Sequence, residues 1–92
     1  MHLTGQVVLL AEGDAVIGVD HTDALERAGY QVLGPCLDTA DALNLLELIT
    51  PDFAILDPLL RDGPCTALAD ELRRRGVLAD KIVPTPNQGR LL

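Results

Sequence analysis

Residues 6–11 read Gln-Val-Val-Leu-Leu-Ala, an apolar run with no polar alternation. Such a run is expected of a strand buried on both faces of a parallel sheet. Over residues 15–28 the apolar positions recur at helical spacing, at Ile17, Ala24, Leu25 and Ala28, and Gly29 supplies a stop. Residues 31–35 (QVLGP) read as a short strand closed by Gly34-Pro35. Thr39 is placed to cap a second helix whose stripe is Ala42, Leu43, Leu46 and Ile49, ended by Pro51. Phe53–Leu56 is a third apolar strand running into Asp57, and residues 61–64 (RDGP) form a turn. Residues 65–75 give a third helix with Leu68, Ala69 and Leu72 inward and Gly76 at its end, and residues 81–84 a fourth strand.

The alternation βαβαβαβ, joined by right-handed crossovers, predicts an α/β, doubly wound parallel sheet with helices on both faces. In the flavodoxin-like strand order 2-1-3-4, strands 1 and 3 adjoin at the switch point, where sites form at the carboxyl ends of strands. Glu12 and Asp14 follow strand 1, and Asp57 ends strand 3. A hard divalent cation such as Mg²⁺ takes one or two carboxylates together with water and phosphate oxygens. A carboxylate so placed can also act as a nucleophile towards phosphorus. Acids after strands serve equally as helix caps and solvated loop residues, and spacing alone leaves both readings open.

Ninety-two residues, 48% of them hydrophobic, suffice for one core, and with only Phe53 and Tyr30 aromatic that core must be aliphatic. The expected organisation is one domain over residues 1–84 and a loose tail over 85–92. Fourteen acids against seven bases give a net charge of −7, which argues against nucleic acid as a direct partner. The one basic cluster, Arg73-Arg74-Arg75, suits the C-terminal end of a helix. Cys36 and Cys65 form no CxxC and signal neither zinc nor a disulfide framework. No leader-like or membrane-length apolar segment occurs, so the chain is expected in the cytoplasm, away from membranes.

The segments VVLLAEGDAVI (7–17) and PDFAILDPLLRDG (51–63), with Gly29-Tyr30 before strand 2 and VLGP at 32–35, resemble the receiver domain of two-component response regulators. The likeness extends over roughly residues 6–85. It implies an incomplete flavodoxin-like fold of about four strands, in order 2-1-3-4, with three helices. It places Asp57 at the phosphoacceptor position and Glu12 at the first of two adjacent acids, and implies a backbone carbonyl of Leu59 as a metal ligand. The second acid of such domains is replaced by Gly13, with Asp14 one step later, so the implied Mg²⁺ site of Glu12, Asp14, Asp57 and Leu59 is degenerate. Thr85 stands either at the family's switch position after strand 4 or in the tail. The family's lysine partner has no counterpart, since the only lysine, Lys81, opens strand 4 at the opposite end of the sheet.

A receiver shortened at its C-terminal side would leave apolar surface beside helix 1 and on strands 3 and 4, so a homodimer through that side is expected. His21, on the stripe of Ile17 and Leu25, is expected at a packed or interfacial position. Two functions compete. One is a receiver in phosphorelay signalling, taking its phosphoryl group from a histidine kinase or phosphotransfer protein. The other is a dimeric interaction module that works without phosphorylation. An enzyme is not expected, because neither a Gly-rich phosphate loop nor a GxSxG elbow nor a Cys–His pair is present.

Overall fold

The computed structural model describes residues 5–85. Four strands, β1 (Val7–Ala11), β2 (Gln31–Cys36), β3 (Phe53–Leu56) and β6 (Ile82–Pro84), form a parallel sheet in the order β2-β1-β3-β6. Helices α1 (Ala15–Arg27), α2 (Thr39–Leu46) and α3 (Thr66–Arg74) connect them. This is the doubly wound α/β arrangement expected from the sequence. A two-residue hairpin, β4 (Leu59–Leu60) against β5 (Gly63–Pro64), occupies the loop after β3, where only a turn was expected.

Strand β2 does not close at Pro35. Pairing runs Leu9↔Leu33 and then Ala11↔Cys36, so β2 carries one extra residue and the ladder resumes beyond it. A bulge of this kind bends a strand and re-aims its side chains. Here it places Pro35 under α1. A Cβ on Gly18 would come within 2.9 Å of the Pro35 Cβ, so only glycine lets the helix sit this close. Gly18 is accordingly the one buried residue of α1, and the expected stripe members Ala24 and Ala28 are exposed. Close seating at Gly18 decides which side of the helix faces the sheet, and periodicity could not supply that contact.

On the opposite face Leu9, Ala11, Ala54 and Leu56 pack with Ala42, Leu46, Leu68, Leu72 and Val77 into the main core. Helix α2 ends earlier than its apolar stripe predicts, leaving Leu48 and Ile49 exposed. Arg75, beyond the end of α3, donates from Nη1 to the Leu46 carbonyl at 2.7 Å and pairs with Glu47 and Glu71. Unsatisfied carbonyls at a helix end attract such cations. The N-cap of α2 is Asp38, not Thr39: its Oδ1 accepts from the Asp41 amide at 2.8 Å. An aspartate carboxylate reaches the second and third amides of the helix readily.

The amides of Thr39 and Ala40 donate instead to Asp62, at 2.8 and 3.2 Å. The Thr39 amide is the main cause that holds the Asp62 carboxyl below its ordinary value of 3.8, against an opposing desolvation effect and with help from Ala40. A carboxyl with a lowered folded-state pKa adds stability that is complete above the unfolded value and disappears as pH falls through the folded one. Asp62→Asn should therefore flatten the acid limb of the stability curve below about pH 4. An unchanged acid limb in urea denaturation would reject that assignment.

Candidate functional site

At the carboxyl edge of the sheet the hydrogen-bond ladder continues one residue past β1, β3 and β6. The Glu12 amide donates to the Cys36 carbonyl at 2.8 Å, the Asp57 amide to Ala11 at 2.8 Å, and the Thr85 amide to Leu56 at 2.9 Å. Strand alternation carries the side chains of Val8, Leu10 and Glu12, of Phe53, Ile55 and Asp57, and of Val83 and Thr85 to the α1 side. Glu12, Asp57 and Thr85 thus form one row across three strands. They are 0%, 1% and 7% exposed, the buried polar side chains among the described residues. Thr85 belongs to the sheet edge; the rest of the expected tail, 86–92, lies outside the described residues.

Asp57 is held by two backbone amides, Gly13 on Oδ2 at 3.1 Å and Leu59 on Oδ1 at 3.2 Å. Glu12 Oε2 accepts from the Asp14 amide at 3.0 Å. Asp14 is the N-cap of α1, its Oδ1 accepting from Val16 and Ile17 at 2.9 and 3.1 Å. An open cleft of about 270 Å³ lies above Asp57, lined by Gly13, Asp14, Asp57, Leu59, Leu60 and Arg61.

Position 13 decides what this cleft can hold. A Cβ there would stand 3.1 Å from the Leu59 carbonyl oxygen and 3.5 Å from Asp57 Oδ2. A side chain at 13 would therefore enter the space these two oxygens face, and glycine contributes none. Asp14 has an oxygen committed to the helix cap. Among the described residues no group of three or more His, Cys, Asp or Glu side chains is arranged to hold a metal ion. The donor set does not fit a tightly held divalent cation.

Sequence reasoning placed Glu12, Asp14, Asp57 and Leu59 at this edge, and all four are found around it. It missed Arg61, which was read only as part of a turn. Its Nε donates to the Gly13 carbonyl at 3.1 Å. The signal available was a cation four residues after the acid, in a loop that had to return over the same edge.

A parallel sheet in this order with three helices, and a buried aspartate at the end of β3, give the chain a receiver-like α/β fold. The comparisons with known proteins agree. The fold is similar to the non-phosphorylated HemR receiver domain from Leptospira biflexa, with TM-score 0.71 and 25% identity, over 90% of this chain and 84% of that one. It is also similar to the chemotaxis response regulator CheY4 of Vibrio cholerae, with TM-score 0.75 and 21% identity, over 88% of this chain and 68% of that one. In sequence, 58 residues are 40% identical to the transcriptional regulatory protein PdtaR of Mycobacterium tuberculosis, covering 61% of this chain. That match spans 28% of the relative's length. No protein-family model matches the chain. No helix among the described residues is long and apolar enough to cross a membrane.

Proposed function

We propose that the chain serves phosphorelay signalling in the cytoplasm as a phosphoryl acceptor at Asp57, acting through contacts with partners and not as an enzyme. The observation that carries this reading is the placement of Asp57. Its carboxylate ends the inner strand β3, is fixed by the amides of Gly13 and Leu59, and lines an open cleft at that edge. In the step proposed, an Asp57 oxygen attacks the phosphorus of a phosphohistidine on a kinase or phosphotransfer protein. The new O–P bond forms as the P–N bond breaks. The electron pair leaves on the imidazole nitrogen, which takes a proton from water. Two fixed amides hold the attacking carboxylate in one orientation, which lowers the entropic part of the barrier. In this reading Thr85, next in the row, would donate its hydroxyl to the transferred group.

The acidic surroundings weaken this site. A phosphoryl group adds about two negative charges beside Glu12, and Gly13 brings no ligand for a cation that could offset them. Incubation with acetyl phosphate, with and without Mg²⁺, should add one phosphoryl mass to the intact protein. Asp57→Ala should abolish the adduct. Failure of the parent chain to take up the group under forcing conditions would favour the second reading, an interaction module independent of phosphorylation.

That second reading is supported by the apolar side chains beside α1. Phe53 and Ile55 are half-buried and Val83 is 38% exposed, while Val16 and Val19 of α1 are exposed. A second copy of the chain packed over this face is the partner proposed for both readings, in line with the prevalence of twofold interfaces. Light scattering should give twice the chain mass at micromolar concentration; a mass of one chain would reject it.

A further inference from the structure

A phosphoryl group at Asp57 needs a counter-charge, and among the described residues the cleft contains one cation. The other described basic side chains lie elsewhere. Arg27 pairs with Asp23, Arg73 with Asp70, Arg74 with Glu71, and Arg75 with Glu71 and Glu47. Lys81 lines a separate pocket with Gln6, Tyr30 and Phe53, at the opposite end of the strands.

Arg61 is held at the cleft from two sides. Its amide donates to the Leu37 carbonyl at 3.0 Å, and its side-chain Nε donates to Gly13 at 3.1 Å. Gly13 therefore grips both partners of the site: its carbonyl holds the guanidinium and its N–H holds Asp57 Oδ2. With Nε spent on that anchor, the guanidinium plane is fixed while its two Nη groups, which make no hydrogen bond among the described residues, keep their donors. A planar fork of this kind matches two oxygens of a phosphoryl group.

We propose that Arg61 is the phosphoryl-binding residue of this site, its Nη groups engaging two oxygens of the incoming group and of the Asp57 adduct. The inference rests on the reading of Asp57 as acceptor. It assigns to the chain's own guanidinium the charge compensation that the carboxylate set leaves undone.

The test follows the rate of adduct formation by intact mass, using the full chain and a series of acetyl phosphate concentrations. Arg61→Gln keeps a donor for Gly13 and removes the charge; Arg61→Ala removes both. Both are expected to raise the acetyl phosphate concentration needed for half-maximal rate by about tenfold or more, the usual scale for a lost charge-assisted contact. Arg61→Lys should recover part of the loss. A purely structural Arg61 would shift the thermal midpoint and leave the donor concentration dependence unchanged. If the parent is labelled and both neutral variants show the parent's concentration dependence, the role of Arg61 is overturned and Asp57 remains the acceptor. If the parent takes no label, the acceptor reading fails and the Arg61 role fails with it.

Discussion

Gly13→Asp should turn the cleft into a divalent-cation site, raising the apparent Mg²⁺ affinity by about tenfold or more. The added carboxylate would stem from a Cβ 3.1 Å from the Leu59 carbonyl oxygen and 3.5 Å from Asp57 Oδ2, with Glu12 buried beside them. Two unit charges about 4 Å apart attract by about 4 kcal/mol at an effective dielectric of 20. If desolvation and side-chain ordering cancel two thirds of that for a single added carboxylate, the remainder is still about tenfold. The sign reverses without metal, because three carboxylates then share one cleft and repel. The thermal midpoint of the variant should therefore fall below the parent's in chelator and rise on adding Mg²⁺, whereas the parent should respond weakly. Equal Mg²⁺ responses in parent and variant would show that position 13 is not what limits cation binding.

The largest loss of stability is expected at Gly34, in the bulge of β2. Its φ is +111°, and a Cβ there would stand 2.5 Å from the Leu10 carbonyl oxygen and 2.8 Å from the Cys36 amide nitrogen. Both are backbone atoms of paired strands and cannot move without breaking the ladder. Backbone strain of about 1–3 kcal/mol adds to overpacking of similar size. Gly34→Ala should thus cost about 3 kcal/mol or more, a large part of the 5–15 kcal/mol that stabilises a typical domain. Gly76→Ala provides the control. It has φ +100° but nothing within 4 Å of the added Cβ, so the backbone contribution acts alone at about 1–2 kcal/mol. Urea denaturation of both variants separates the two contributions. Equal losses would mean that the β1–β2 junction yields to accommodate the methyl group.

The strands and helices were legible because their patterns are local. An unbroken apolar run marks a strand covered on both faces, and recurrence every three to four residues marks a helix. The βαβ alternation then restricts the topology, since right-handed crossovers leave few ways to wind the sheet. Glu12 and Asp57 could be placed at one end of it on that ground, whereas Thr85 was suggested only by the family resemblance, with the tail as its alternative. Cap identity was less legible. Thr39 and Asp38 are both good caps by residue type, and the choice fell to Asp38 because Asp62, from a loop 23 residues away, takes the Thr39 amide. The length of α2 was less legible for a similar reason: Arg75, just past the end of α3, donates to the carbonyl of its last residue, Leu46.

The sequence by itself determined the α/β winding, the order of the strands and the acids at their carboxyl ends, because hydrophobic period and chain connectivity are properties of neighbouring residues. Only the tertiary structure decided that β2 continues past Pro35 beneath Gly18, that Asp14 caps α1, and that Arg61 reaches Gly13 beside Asp57. Each of these is a contact between segments distant in the chain or a choice among competing hydrogen-bond partners, and such choices are settled by the space left once the sheet has formed.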